Sequence, residues 1–471
     1  MSFKNMEYSI SERLTHVNQL KDNGEFAKAL QIINKLENEK ELSFQEQIEC
    51  YYLKGSLLFE QGYMDEAIKY VELAYKDCQQ LKENLLTLDI ILSKCNILRY
   101  SDRYNEGFDI IIEAEQILNK LDGISPIDFK ERNAYLMYLK GYLYARKGDL
   151  NSSFRHGELG LQIAHEINNK RLIMLNAGIL GYFFHWKGDF DTAQNYNEQR
   201  LKLAKEINDK QNIIGALNNI GTIFQEKGDF NQAMKYLKES LTYCEEINSF
   251  KTTAILDSLC RLAIEMDSFE TAQECLESMK KFIDRRDKNL LGYNIYDLTK
   301  AIVLKKSPND ADKIRAIELF KKELEKNKIT YEGKIVALLN LCELFLLELY
   351  QTNNIKILDD INLYIQQLLD IAKEQKSYWL LAETHLFQAK LKLVTFEFEK
   401  AQQLVAQAFH IAEKYGLDLL LTQIKTEKEE LSKALNKWDN LKRSNANLSN
   451  RLDLANLNNQ IRRMLKKRHK N

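Results

Sequence analysis

The residues of this sequence best suited to metal binding or nucleophilic catalysis are its histidines and cysteines, and both kinds stand singly. The seven histidines lie at positions 16, 156, 165, 185, 385, 410 and 469, and the seven cysteines at 50, 78, 95, 244, 260, 275 and 342. A zinc site or an activated thiol needs several such side chains at short, defined spacings. No such spacing occurs, so we expect no metal site and reduced cysteines that serve as small core residues.

Phosphate-binding and nucleophile motifs are also missing from the sequence. It contains no Gly-x-x-x-x-Gly-Lys-Ser/Thr loop, no Gly-x-Gly-x-x-Gly turn, no His-Glu-x-x-His and no serine elbow. The acidic residues follow the periodicity of exposed helix faces, where they are most simply solvated. We therefore expect a protein that is not an enzyme and needs no cofactor, although a fold alone does not exclude catalysis.

The composition is typical of a helical protein. Only 2 prolines and 18 glycines occur among 471 residues, whereas extended loops need more of both. The N-terminal "MSFKNMEYSISERL" has no apolar signal segment, and the most apolar run (335–350) contains Asn340, Glu343 and Glu348. We expect that run to be too short and too polar to cross a bilayer, and the protein to be cytoplasmic.

Charge is distributed unevenly along the chain. The whole sequence carries 67 Lys/Arg and 68 Asp/Glu, but residues 461–471, "IRRMLKKRHKN", hold six Lys/Arg and no acid. The body of the chain therefore has a net charge of about −7, and the C-terminus is basic.

A repeat of about forty residues organises most of the sequence. "GDFDTAQ" at residue 188 returns as "GDFNQAM" at residue 228, and a small residue ends the same motif at positions 29, 67, 107, 153, 193, 233, 272, 316 and 401. The last interval leaves room for one degenerate copy, near residues 353–365. About ten units are therefore predicted.

Each unit has the pattern of two helices joined by a tight turn. In residues 213–247, apolar residues recur three and four positions apart, as at Leu217, Ile220 and Phe224. Gly228 suits a left-handed helix end, and Asp229 suits the start of the next helix.

These features resemble the tetratricopeptide repeat (TPR) family. The marks are a small residue in the first helix (Gly55, Gly141, Gly181 and Gly221), a Leu or aromatic residue three positions later, then the turn glycine and the alanine. The resemblance covers residues 8–415, and the forty-residue period is similar to that of Pins/LGN-type scaffolds and kinesin light chains. It implies an all-α fold, a right-handed TPR superhelical solenoid of about ten helix-turn-helix units.

Two longer links, at 121–129 and 304–313, contain the two prolines and suggest subdivisions. We expect TPR units 1–3 in residues 1–122, units 4–7 in 123–285, degenerate units 8–10 in 286–423, and a C-terminal capping helix with a basic tail in 424–471. One continuous solenoid with longer loops is the alternative.

The resemblance also implies which residues face the concave groove of the superhelix, where TPR proteins bind peptide segments. The predicted groove residues are Tyr52, Arg99, Tyr100, Tyr135, Tyr138, Tyr142, Arg146, Tyr182, His185, Trp186, Asn218, Asn219, Thr222, Gln225 and Arg261. Asn219 stands where related arrays often bond the ligand backbone. Packing between adjacent helices is the alternative role for any one of the aromatic residues.

The function that follows is a non-catalytic scaffold or adaptor that binds a peptide segment of a partner protein. A signal-sensing regulator is a second hypothesis. A third is an adaptor to nucleic acid or an anionic membrane through residues 461–471, which we expect to be helical with a loosely held basic tip. Docking of this tail into the protein's own concave face, as an autoinhibitory element, is a variant.

Overall fold

The protein is described by a computed structural model over residues 9–22, 25–39, 42–61, 63–81, 84–99, 103–147, 149–187, 189–285, 292–325, 331–374, 377–444 and 448–468. Every regular element within these ranges is an α-helix. Successive helices pair, so that α1 to α20 form ten two-helix units, each with an A-helix followed by a B-helix. The all-α solenoid of about ten units is thus confirmed.

The A-helices are α1 (Ile10–Asp22), α3 (Phe44–Glu60), α5 (Leu85–Leu98), α7 (Pro126–Arg146), α9 (Lys170–Lys187), α11 (Lys210–Glu226), α13 (Thr252–Glu265), α15 (Gly292–Lys306), α17 (Tyr331–Thr352) and α19 (Tyr378–Val394). The B-helices are α2 (Phe26–Leu36), α4 (Met64–Cys78), α6 (Tyr104–Lys120), α8 (Leu150–Glu166), α10 (Phe190–Glu206), α12 (Phe230–Glu246), α14 (Phe269–Asp284), α16 (Asp310–Glu325), α18 (Ile357–Glu374) and α20 (Phe398–Lys414). Three more helices follow, α21 (Asp418–Arg443), α22 (Leu448–Ala455) and α23 (Leu457–Arg468). The degenerate copy expected near 353–365 is the B-helix α18. The proposed division of the chain into three groups of units stays a prediction.

The small residues of the repeat lie where the two helices of a unit cross. A Cβ atom added at Gly221 would lie 2.9 Å from Leu237 Cγ and 3.3 Å from the carbonyl oxygen of Ala233. Ala233 itself is fully buried. The forty-residue period of the sequence therefore reflects a close crossing of two helices that recurs in successive units.

We expect Gly221→Leu to lower the free energy of unfolding by about 1–3 kcal/mol, because the new side chain must displace Leu237 or the backbone of α12. Thermal and urea denaturation, followed by circular dichroism, measure the change. Asn195→Leu, at an exposed position of α10, is the control and should be nearly neutral. Equal stabilities of the two variants would contradict the close crossing.

The turn within a unit has the predicted chemistry. Gly228 has a φ of +80°, which a residue with a side chain rarely adopts. The Asp229 carboxylate accepts a hydrogen bond from the backbone N–H of Gln232 at 3.1 Å and so caps α12.

A second repeated turn lies between units and was not recognised in the sequence. Asn168, Asn208 and Asn248 end three successive B-helices forty residues apart, with φ angles of 51°, 55° and 50°. Asparagine tolerates this left-handed conformation better than other residues with a Cβ atom. The thrice-repeated "EIN" is its sequence signal.

We expect Asn208→Ala to destabilise the protein by about 1 kcal/mol, whereas Asn208→Gly should be neutral or stabilising. The comparison isolates backbone strain, because both variants remove the same amide. Melting midpoints measure it. Similar losses for Ala and Gly would show that the amide, not the φ angle, matters at this turn.

The array curls far enough for distant units to touch. Phe59, at the end of α3, contacts Phe250, just before α13, with ring centroids 5.9 Å apart. Farther along, the backbone N–H of Tyr378 donates to the carbonyl oxygen of Lys147 at 3.0 Å. Units 2 and 7 therefore meet across the superhelix, as do units 4 and 10.

The apolar run of α17 is longer than its sequence pattern suggested. Gly333–Thr352 has 20 residues and a mean hydropathy of 1.5, so by length and composition it could cross a membrane. The expectation of a segment too short and too polar was wrong in both respects. Within the protein, 61% of this window is buried, as in the core helix of a folded domain.

The C-terminal segment is helical as expected, but the start of its basic tip is held firmly. Helix α23 packs against α17 and α19. Ile461 and Met464 are fully buried there. The expectation of a loosely held tip is therefore wrong for residues 461–464, because the apolar side of the helix lies in a contact. The side chains of Arg463 and of residues 465–468, and the whole tip beyond residue 468, lie outside the described residues.

Candidate functional site

The inner faces of the A-helices enclose one large cavity of about 1030 Å³. Most of its wall comes from α3, α5, α7, α9, α11 and α13, the A-helices of units 2–7. We call this wall the inner groove. It includes Tyr52 and Phe59 of α3, Asp89, Ser93 and Asn96 of α5, Tyr135, Tyr138 and Tyr142 of α7, Arg171, Gly178 and Tyr182 of α9, Gly215 and Asn218 of α11, and Ala254, Asp257 and Arg261 of α13. The contact between Phe59 and Phe250 bounds it on one side.

Most of the residues predicted for the groove line it. They are Tyr52, Arg99, Tyr135, Tyr138, Tyr142, Arg146, Tyr182, Asn218, Asn219 and Arg261. The A-helix register inferred from the repeat is therefore correct over units 2–7. Whether these residues bind a ligand stays a prediction.

Three predicted residues lie elsewhere. His185 is buried, with its ring 5.6 Å from that of Phe190 at the start of α10, because three residues beyond Tyr182 the helix has rotated by about 60° away from the groove. Thr222 is buried and donates its hydroxyl to the carbonyl oxygen of Asn218 within α11. Gln225 is half-buried near the end of α11 and is not part of the wall. Tyr100 and the side chain of Trp186 lie outside the described residues.

An aromatic and cationic surface forms the wall at units 3 and 4. The Tyr135 and Tyr138 rings stack with centroids 5.8 Å apart. The Arg99 guanidinium lies 4.7 Å from the Tyr142 ring centroid and 5.3 Å from that of Tyr138. Such contacts hold the rings in place at small entropic cost and leave large, flat surfaces for a ligand.

Burial perturbs several titrating groups in the groove. It raises the pKa of Tyr52 to about 12 and also raises the pKa of Tyr135. Burial likewise raises the pKa of the Asp89 carboxyl, although Arg132 donates to both of its oxygens at 2.9 and 3.1 Å. At neutral pH both tyrosines are therefore protonated and available as hydrogen-bond donors.

Amide and hydroxyl groups continue the wall at units 6 and 7. The Ser258 hydroxyl donates to Asn218 Oδ1 at 3.1 Å and links α13 to α11. Asn219 Nδ2 donates to Asn197 Oδ1 at 3.2 Å, so this amide ties its A-helix to α10. The predicted role of Asn219 toward a ligand backbone would use its remaining hydrogen-bonding capacity.

The groove is more basic than the chain as a whole. Nine Lys/Arg and five Asp/Glu side chains line it, an excess of four positive charges, whereas the full sequence has a net charge of −1. Two of the acids are engaged by neighbouring arginines, Asp89 by Arg132 and Asp257 by Arg261. The potential inside the groove therefore favours anions.

Arg200 is a groove residue that sequence analysis missed. It belongs to the B-helix α10, yet its guanidinium reaches the groove between α9 and α11. Glycines border its path: an added Cβ would lie 3.2 Å from Arg200 Cδ at Gly178 and 3.1 Å from Arg200 Nη2 at Gly215. Two glycines in adjacent A-helices, outside the repeated crossing position, are the signal that could have revealed it.

The concave side of the C-terminal units is occupied by the chain itself. Helices α22 and α23 pack on the A-helices α17 and α19. The Gln460 amide, fully buried, donates to the Glu383 carboxylate at 2.6 Å and to the Glu383 carbonyl oxygen at 3.2 Å. The surface open to another molecule therefore belongs to units 2–7.

The described residues offer no metal site, since they contain no cluster of three or more His, Cys, Asp or Glu side chains with suitable geometry.

Comparison with known proteins identifies the repeat. Residues 105–424 match the family model described as the MalT-like TPR region, and residues 48–76 match the tetratricopeptide repeat. A comparison with curated protein sequences gives no match. Neither matched model is specific to the Pins/LGN or kinesin light chain type, so that subtype stays a prediction.

Solved structures share the fold at low sequence identity. A Rap protein complexed with Competence and Sporulation Factor gives a TM-score of 0.54 at 14% identity, over 78% of this chain and 98% of that chain. NprR in complex with its cognate peptide NprX gives 0.49 at 15% identity, over 79% and 100%. Aspartyl phosphate phosphatase F from Bacillus subtilis gives 0.43 at 12% identity, over 69% and 95%. Of these three, the Rap protein alone exceeds a TM-score of 0.5, and at 14% identity that likeness concerns the fold alone. Because the MalT-like model spans more than half of the sequence and the structure repeats its helix pair ten times, the chain belongs to the tetratricopeptide-repeat family, as a protein with a MalT-like TPR region.

Proposed function

We propose that the protein binds an extended segment of a partner protein, or a peptide, in the inner groove of units 2–7, without catalysing a reaction on it. The observation that carries this proposal is the groove itself, a cavity of about 1030 Å³ whose wall combines tyrosines, arginines and amides. Tyrosine and arginine are enriched among the residues that contribute most of the binding energy in protein interfaces. Amide side chains can pair with a peptide backbone.

The lining chemistry supports binding rather than catalysis. None of the described groove residues is a histidine or a cysteine. Of the carboxylates, Asp89 and Asp257 are engaged in ion pairs, and Asp209 caps α11 by accepting from the backbone N–H of Asn212 at 2.9 Å. The other two carboxylates are Glu131, which accepts from Asn169 Nδ2 at 3.1 Å, and Glu60, whose pKa is raised by burial. With no histidine or cysteine beside them in the described lining, we favour binding over catalysis. The phosphatase noted above has a TM-score of 0.43, which carries no argument about this chain.

The Rap and NprR structures were solved with Competence and Sporulation Factor and with the peptide NprX, respectively. Those complexes are properties of those proteins. The proposal for this chain is consistent with them but depends on its own groove.

The proposed place of action is the cytoplasm. All seven cysteines are free, and six of them are buried. Burial raises the pKa of these buried thiols, and it raises the pKa of Cys50 and of Cys244 to about 12. Unpaired, unreactive thiols of this kind suit a reducing compartment.

Selection from a phage-displayed library of random dodecapeptides tests the proposal. We expect selected peptides, once synthesised, to bind the wild type saturably in isothermal titration calorimetry. Ala254→Trp, at an exposed site on the groove wall, should block this binding by filling the groove. Thr242→Trp, exposed on the B-helix α12, is the control. Failure to select a peptide, or equal binding by both tryptophan variants, would contradict the proposal.

A ligand-responsive regulator is a second candidate, favoured by the closure of the superhelix. The Phe59–Phe250 contact joins units 2 and 7 in the groove wall, so a ligand that changes the distance between these units acts on this contact. Small-angle X-ray scattering with and without a selected peptide should then show a change in the radius of gyration. An unchanged radius would favour a passive scaffold.

The structure gives less support to nucleic-acid or membrane binding by residues 461–471. An amphipathic helix inserts its apolar face into a membrane. In α23, Leu457, Ile461 and Met464 are already buried in the protein.

A further inference from the structure

The inner groove carries an excess of positive side chains, and two of its carboxylates are already paired. Arg132 holds Asp89, and Arg261 holds Asp257 with Nε and Oδ2 2.8 Å apart. Four more positive than negative side chains line the wall in a protein of net charge −1. A positively charged concave surface concentrates anionic ligands and speeds their association.

Arg200 places one of these positive charges at the floor of the groove, although it belongs to a B-helix. Most of the wall is made of A-helix residues, whereas Arg200 comes from the outer helix layer and passes between α9 and α11. Its aliphatic part lies against Gly178 and its Nη2 atom against Gly215. Alanine at either site would crowd the side chain, so the two glycines leave room for this position of the guanidinium.

The guanidinium is oriented as well as positioned. Nη2 donates to Asn212 Oδ1 at 2.8 Å, and Asn212 Nδ2 in turn donates to the Asp209 carboxylate at 2.8 Å. An arginine carries five N–H donors in a rigid plane, and the bond to Asn212 fixes the orientation of that plane. A fixed, half-buried guanidinium at a groove floor is suited to hold a carboxylate by two parallel hydrogen bonds.

We propose that the groove takes an acidic peptide segment and that Arg200 holds one of its carboxylates at the floor between units 5 and 6. This inference rests on the proposed peptide-binding function and names the chemical class of the peptide. An acidic peptide is favoured over a nucleic acid because tyrosine hydroxyls and amides, which pair with a peptide backbone, share the wall with the cations.

The test uses dodecapeptides selected on the wild-type protein as described above. We expect them to be richer in Asp and Glu than the unselected library. Replacing the critical carboxylate of one such peptide with its amide, by Asp→Asn or Glu→Gln, should weaken binding to the wild type by about tenfold or more. In Arg200→Gln the same replacement should change the affinity by less than about twofold, since the contact is already lost.

Two further variants separate the position of the charge from its presence. Gly178→Ala keeps every charge but crowds Arg200, whose side chain must shift by a few tenths of an ångström, so it should weaken the carboxylate preference less than Arg200→Gln does. Arg155→Gln removes an exposed arginine from the B-helix α8 and should keep the preference. Melting midpoints of all variants confirm that the comparisons are made on folded protein.

The outcomes distinguish this inference from the function on which it rests. Neutral or basic selected peptides that Ala254→Trp still blocks would overturn the inference and leave peptide binding intact. An undiminished carboxylate preference in Arg200→Gln would also overturn it. Displacement of the peptide by a single-stranded oligonucleotide at lower concentration than by the unlabelled peptide would indicate a nucleic-acid groove instead. If no selected peptide is blocked by Ala254→Trp, the proposed function itself fails.

Discussion

Replacing both Tyr142 and Tyr182 with alanine should lower the affinity for a selected peptide by about a hundredfold or more, because a buried aromatic contact in a binding site typically contributes about 2 kcal/mol. The two rings lie on adjacent A-helices, α7 and α9, and both line the inner groove. Each is half-buried, so each presents part of its surface to the cavity. Isothermal titration calorimetry measures the loss.

The matched control removes two tyrosine rings from the outer helix layer. Tyr70→Ala with Tyr236→Ala acts on α4 and α12, away from the groove, and should leave the affinity unchanged. Circular dichroism of both double variants tests whether the fold survives. Unchanged affinity in the groove variant, or its unfolding while the control stays folded, would mean that these rings serve packing between A-helices.

Replacing both Leu452 and Ile461 with alanine should lower the free energy of unfolding by about 4 kcal/mol or more, since each buried Leu or Ile truncation costs about 2–5 kcal/mol. Both side chains are fully buried in α22 and α23, which cover the A-helices α17 and α19. Without them, an apolar concave surface becomes accessible, and we also expect self-association. Urea denaturation and analytical ultracentrifugation measure the two effects.

Asn459→Ala with Arg462→Ala is the control, since both side chains are exposed on the same helix, and it should be nearly neutral. Peptide affinity should stay the same in both double variants, because the open groove belongs to units 2–7. A wild-type melting midpoint in the Leu452/Ile461 variant would contradict the docking of α22 and α23. A rise in its peptide affinity would instead support the autoinhibitory tail.

The helix pairs could be predicted because packing within each unit restricts which residues can occupy the repeated positions. Gly221 and Ala233 occupy a close crossing, and Gly228 adopts a left-handed turn, so each position tolerates few residue types. The same requirement returns in every unit, which makes it visible as a period in a single sequence. The inward positions of the A-helices follow from that register, and most of the predicted residues, such as Tyr52 and Tyr142, line the groove, while their role toward a ligand stays a prediction.

The features that escaped prediction depend on the curvature of the array or on a small rotation. His185 lies three residues beyond Tyr182, and the difference of about 60° around the helix is enough to bury it against α10. Arg200 reaches the groove from the outer layer, so no A-helix pattern includes it. The site where α23 docks was also hidden, since its partners α17 and α19 are far apart from it in sequence.

The central claim, that a peptide occupies the inner groove of units 2–7, is tested most directly by site-specific photocrosslinking. Benzoylphenylalanine placed at Asn218, on the groove wall, should crosslink to a selected peptide, whereas the same group at Asn195, exposed on α10, should not. Unlabelled peptide should compete away the crosslink at Asn218. Equal crosslinking from both positions, or crosslinking from Asn195 alone, would contradict the claim and place the binding surface outside the groove.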